Sequence, residues 1–116
     1  MLTYDNVSRI AQRVAAIHGL PLSRCIKKYN MNGQNPGACD YKRGEVRISL
    51  TGAASNDVYL LAHEMSHLIH ADHEPDFHKL TARIEDTIKE ILYEEYEHSL
   101  PEGFHPIVSA PISSGD

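Results

Sequence analysis

An α+β architecture follows from three features of this chain. Apolar residues recur at helical spacing near both ends, short alternating segments lie between turn formers in the middle, and a central helix carries two histidines four positions apart. Together they predict a small antiparallel sheet packed on the central helix, with an N-terminal and a C-terminal helix flanking it. A length of 116 residues suits one domain with one core. Residues 1–100 are expected to form that domain. Residues 101–116, where prolines, serines and glycines gather, are expected to form an extended or disordered tail.

The first helix is predicted from Val7, Ile10, Ala11, Val14 and Ile17, with Asp5 as its cap. Gly19 suits the left-handed residue that ends it, and Pro21 forbids continuation. His18 falls in the last turn, where a cation is favourable, so a ligand role is not assigned to it. A strand is expected over Arg24–Tyr29, then a loop through the turn formers of residues 30–37. Ala38–Tyr41 and Glu45–Leu50 read as a hairpin around Lys42-Arg43-Gly44, with Val46, Ile48 and Leu50 facing inward. Ser55 is a plausible cap for the central helix, whose apolar side is Val58, Leu61, Met65, Leu68 and Ile69 and whose end is expected near His70 or Ala71. Pro75 suits the first position of the last helix, which runs to about Tyr96 on Phe77, Leu80, Ile84, Ile88, Ile91 and Leu92.

The stretch His63-Glu64-Met65-Ser66-His67 carries the chemistry. At about 3.6 residues per turn, His63 and His67 project from one helix face and suit a single metal ion. Glu64 lies roughly 100° around the helix from His63, within reach of a water on that ion. Zinc favours nitrogen and sulfur ligands in tetrahedral geometry, and a catalytic site keeps one position for water. A third protein ligand must therefore come from outside this turn. His70 shares the face but lies about 10 Å along the axis from His63, too far to join the same ion. His73, just past the helix, is favoured because a reversing turn needs no long-range positioning. A glutamate of the last helix, Glu85 or Glu90, is the alternative. His98 and His105 stand too near the tail to be assigned as ligands.

The run from His63 to Phe77, HEMSHLIHADHEPDF, resembles the signature of the YgjP/WLM branch of SprT-like zinc metallopeptidases: HExxH, five intervening residues, a third histidine, and an aromatic four positions later. The segments Gly37-Ala38-Cys39 and Ile48-Ser49-Leu50 are similar to the strands that precede the active helix in that branch. The resemblance covers about residues 37–80. It implies a minimal zincin-like domain, Zn²⁺ held by His63, His67 and His73, Glu64 as catalytic base, and a peptide or protein as substrate. Metzincins share the third-histidine spacing but carry glycine where this chain has His70, and a downstream Met-turn; the only methionines here are Met1, Met31 and Met65. The stretch Leu60–His70 also looks like the ImmA/IrrE peptidases, which usually lack a histidine matching His73.

Two readings from other classes compete. A related histidine spacing occurs in YbeY-type metal-dependent ribonucleases, but these lack a glutamate after the first histidine, so Glu64 favours peptide hydrolysis. A non-catalytic module stabilised by zinc would close its site with four protein ligands. Within the hydrolase reading, Tyr59 is a candidate second stabiliser of the oxyanion, although tyrosines more often serve packing. The strand ending at Leu50 is expected to offer an edge to an extended peptide.

Composition narrows the setting. A hydrophobic fraction of 41% and a charged fraction of 23% fit an ordinary globular protein. No apolar run reaches the length of a membrane span, no signal segment is recognisable, and a cytoplasmic location is expected. Cys25 and Cys39 lack CxxC spacing and are expected to be free thiols. Residues 1–50 hold 8 Lys/Arg against 3 Asp/Glu, whereas residues 51–116 hold 3 against 13. Such a basic half is more often the solvated face of short strands than a nucleic-acid footprint. Nucleic acid is therefore not expected as a partner. Anisotropy titrations with DNA and RNA should show no tight, salt-sensitive association at physiological salt; a steep loss of affinity with added salt would instead mark phosphate contacts and revive the nuclease reading.

Overall fold

The computed structural model describes residues 1–29 and 35–98, so the tail from Pro101, His105 and part of the loop expected at 30–37 lie outside the described residues. In chain order the elements are α1 (Val7–His18), β1 (Arg24–Lys27), β2 (Gly37–Asp40), β3 (Glu45–Ile48), α2 (Ala54–Ser66) and α3 (Pro75–His98). The α+β class is as expected. Helices α1 and α2 lie against the sheet, α1 at β1 and α2 at β2 and β3, while α3 packs across both helices.

The sheet differs from expectation in one respect: it is mixed. β3 pairs with β2 as an antiparallel hairpin, but its other side pairs parallel with β1, giving the order β1-β3-β2. Burial explains why β3 takes the centre. Its inward residues Val46 and Ile48 are fully buried, whereas β1 and β2 carry Arg24, Lys27 and Asp40 exposed at their ends and tolerate the edges. Gly44 closes the hairpin at φ 65°, and a Cβ there would stand 2.5 Å from the Pro21 carbonyl oxygen. Only glycine meets both demands. Cys25 and Cys39 both stand opposite Val46, one on each side of the central strand. Two strand spacings, about 10 Å, separate them, well beyond disulfide reach, and both are free.

Helix α1 buries Val7, Ile10, Ala11, Val14 and Ala15; Ile17, expected inside, is exposed because the stripe runs through Ala15 instead. Its N-cap is Asn6, not Asp5, and Asn6 Oδ1 accepts from the Thr3 amide at 2.8 Å. Gly19 ends the helix in the left-handed conformation, as expected. His18 ties α1 to α3: Thr87 Oγ1 gives its only hydrogen to the Arg83 carbonyl, so it accepts from His18 Nε2 at 2.8 Å. Burial, and then the charge of Arg83, lowers the pKa of this imidazole.

The acidic face of α3 is not wholly given to solvent. Arg9 pairs with Glu95, and Arg13 with Glu94 at 3.0 Å. The basic residues of the sheet are likewise engaged. Glu45, almost fully buried, takes Arg24 at 2.5 Å and Arg47 at 2.9 Å, and these hydrogen bonds, that from Arg47 foremost, hold its carboxyl below the usual range. Lys28 Nζ donates to the Asn35 carbonyl at 2.6 Å. Among the described residues no helix is long and apolar enough to cross a membrane.

Helix α2 begins at Ala54 without a side-chain cap from Ser55. The fully buried Asp57 serves the turn before it instead, accepting from Thr51 N and Thr51 Oγ1 at 2.8 Å and from Gly52 N at 3.0 Å. Three donors on one buried carboxylate fix how β3 feeds into the helix. Replacing Asp57 with Ala strands all three, which should cost about 2–3 kcal/mol and lower Tm by about 10 °C. Asp57→Asn should lose roughly half as much, since one amide oxygen still accepts. Thermal melts followed by circular dichroism would measure both.

Candidate metal centre

The site begins where α2 ends. The regular helix stops at Ser66, short of the expected His70 or Ala71. Beyond it the chain tightens: Leu68 N bonds to Met65 O and Ile69 N to Ser66 O, each at 3.1 Å, before His70 N returns to Ser66 O at 2.9 Å. This turn rotates Ile69, expected in the core, out to 52% exposure. It also brings the His70 carbonyl to 2.9 Å from His67 Nδ1. A carbonyl only accepts, so His67 carries its proton on Nδ1 and keeps Nε2 bare for a metal.

His73 then swings back over the turn. Its Nε2 lies 3.2 Å from His67 Nε2. Two ligands about 2.0–2.1 Å from a tetrahedral ion stand about 3.3 Å apart, so this spacing suits a shared metal. One ring nitrogen from each of His63, His67 and His73 falls within 4.8 Å of the others. Among the described residues no other group of three or more potential ligands gathers in this way. His70 contributes its backbone, and Glu85 and Glu90 do not join the group. The three histidine side chains fit a divalent ion by geometry and by donor type.

Phe77 builds the floor. It is fully buried, and its ring centroid lies 5.0 Å from that of His63, 4.7 Å from His67 and 4.9 Å from His73. The three imidazole centroids are themselves 4.9–5.0 Å apart. An aromatic wedge equidistant from three rings limits their rotation and keeps water from behind them. Just below, Ser66 Oγ donates to the Ala62 carbonyl at 2.9 Å and accepts from Thr81 Oγ1 at 2.8 Å, clipping α2 to α3 in a fully buried contact. His78, which sequence spacing did not single out, stacks on His73 at 6.4 Å between centroids.

Tyr59 stands one turn before His63, with its hydroxyl 3.5 Å from His63 Nδ1. That places it behind a histidine, as a support for the ring, and the i to i+4 relation was the signal for it. Burial, followed by like charge from the other histidines, lowers the pKa of His63 and keeps its ring neutral, the form that binds metal.

Glu64 is 8% exposed. Its carboxyl makes no hydrogen bond and no ion pair with any described residue, and burial pushes it up to about 7 against a weaker pull from Lys28. It lines a cleft of about 220 Å³ together with His63, Tyr59, Leu60, Pro36 and Gly37. Cys39 sits nearby, but burial, then Glu64 and Asp40, push its thiol up to about 11; burial does the same to Cys25.

A search of curated proteins and one of solved structures gave no match to the chain. A family model, described as YgjP-like, metallopeptidase domain, matches residues 4–94, which spans every described helix and strand up to the last turn of α3. On that match, and with the histidine triad in place, the chain belongs to the YgjP-like metallopeptidase family.

Proposed function

We propose that the protein is a zinc-dependent peptidase that hydrolyses peptide bonds in protein or peptide substrates, with His63, His67 and His73 as metal ligands and Glu64 as general base. The observation that carries this reading is the convergence of three histidine nitrogens, with one of the three, His63, and the buried Glu64 lining the same cleft. Three neutral nitrogen donors suit zinc, which when bound supplies Lewis acidity toward water and a carbonyl group. The chain's own residues do the rest. His67, locked by the His70 carbonyl, and His63, backed by Tyr59, present fixed nitrogens. Glu64 takes a proton from the attacking water at a carboxylate oxygen. It hands that proton to the departing amine nitrogen as the C–N bond breaks, and so regains its charge.

The substrate edge is β2 and not the strand ending at Leu50, which is central and paired on both sides. Among the described residues β2 pairs on one side only, and it starts at the cleft, so an extended peptide adds at its other side as a further antiparallel or parallel strand. Tyr59, turned toward His63, is assigned to ligand support and not to the oxyanion. A cytoplasmic setting suits two thiols that stay unpaired.

Metal content of purified variants tests the ligand set. His73→Ala should lose zinc nearly as fully as His63→Ala or His67→Ala, whereas His70→Ala should keep close to one equivalent. Retention by His73→Ala with loss by Glu85→Ala or Glu90→Ala would mean a glutamate-liganded site.

Cleavage tests the base. Glu64→Gln should keep its zinc and its thermal stability while peptide cleavage falls by about 10²-fold to 10⁴-fold. A panel of denatured proteins, with self-cleavage also monitored, is the suitable substrate. Equal behaviour of wild type and Glu64→Gln across that panel, with zinc in both, would leave a zinc-stabilised module as the better description.

A further inference from the structure

Gly37 opens the edge strand β2 and stands directly over the carboxyl group of Glu64. A Cβ built on it would lie 2.7 Å from Glu64 Oε2, 2.8 Å from Glu64 Cγ and 2.8 Å from Leu60 Cδ1. Real Cβ atoms do not tolerate such approaches. The usual reason for a glycine does not apply here, because among the described residues the positive-φ glycines are Gly19, Gly44 and Gly52, and Gly37 is not one of them. Its backbone is ordinary strand, which any residue adopts, so the demand for glycine is one of space alone.

The strand side of this contact is not free to withdraw. Gly37 is in register with Ile48 of the central strand, and the residue before it is pinned by the 2.7 Å bond from Ser49 N to the Pro36 carbonyl. Glu64 is buried in the last turn of α2, where Leu61, Ala62 and Met65 are fully buried around it. From this geometry we infer that Gly37 is a positioning residue: the space left by its absent side chain holds the Glu64 carboxylate, and the strand backbone above it fixes where that carboxylate points. The inference rests on the reading of Glu64 as general base only for its effect on turnover. The packing relation stands apart from it.

A thermal double-mutant cycle on the zinc-loaded protein tests the packing relation with no substrate. Overpacking by one methyl at a tight site should lower Tm by about 5 °C or more for Gly37→Ala. In a Glu64→Ala background the two closest glutamate atoms are gone, and the same substitution should cost less than about half as much. Relief stays partial because Leu60 Cδ1 still stands in the way. Should Gly37→Ala fail to fold alone, folding of the double variant is the expected result. A penalty no smaller in the Glu64→Ala background, zero included, or a double variant that also fails to fold, overturns the inference.

Turnover supplies the second readout. Gly37→Ala should keep one equivalent of zinc and a KM within about twofold of wild type, while kcat falls by at least about tenfold, since displacing a reacting group by a fraction of an ångström is costly. An unchanged kcat overturns the positioning role. If the wild type cleaves nothing, it is the peptidase reading that fails, and the thermal cycle still decides whether Gly37 holds Glu64.

Discussion

The hydrogen bond from His67 Nδ1 to the His70 carbonyl, 2.9 Å long, closes α2 and aims the other ring nitrogen at His73 in the same contact. Had the helix run on through His73, that residue would lie about 9 Å beyond His67 along the axis, at a rise of 1.5 Å per residue. The tightened turn over residues 67–70 removes that distance and leaves the two Nε2 atoms 3.2 Å apart. It does so with an internal acceptor, so the fold alone orients the imidazole toward the candidate metal site. The ligand set and the end of the helix are therefore one structural event.

The rest of the packing protects that event. Phe77 occupies the volume behind all three imidazoles, and the Ser66–Thr81 hydroxyl pair joins the helix that carries His67 to the helix that carries Phe77. At the other end of α2, Asp57 gathers three donors from the incoming turn, so the helix enters from the sheet at a fixed angle. β3 sits in the centre of the sheet and fixes both edges, of which β2 lies nearest the cleft. Each contact holds one wall of a site that a chain of this size could not otherwise keep rigid.

What was legible in the sequence was local and periodic. The helical stripes, the Gly19 stop, the hairpin at Gly44 and the histidine spacing all follow from intervals of two to four residues, and they reappear in the coordinates. The parallel pairing of β1 with β3 was not legible, because strand order depends on which strand the core buries and not on the strand's own pattern. Ile69 was assigned inward by a helix phase that the turn at His67 breaks. Nothing in the local pattern marks Asp57, and only the folded structure reveals the three bonds it accepts. Gly37 looked like one more turn former; its relation to Glu64, twenty-seven residues away, exists only in the folded chain.

Of the residues at the site, Glu64 lends the proposed catalytic reading more support than the histidines do. A structural zinc site needs four protein ligands and no bystander carboxylate. Here three histidines gather, and the residue beside them is a carboxylate that is 8% exposed without a hydrogen bond or ion pair among the described residues. Burying such a group unpartnered works against folding. Ordinary packing would be better served at this position by leucine or glutamine. A carboxylate kept there, with a glycine backbone pressed to within van der Waals reach of it, is arranged for something that enters the cleft from outside. On the proposed reading, a water with a proton to lose is the partner that the three histidine nitrogens and this carboxylate would jointly receive.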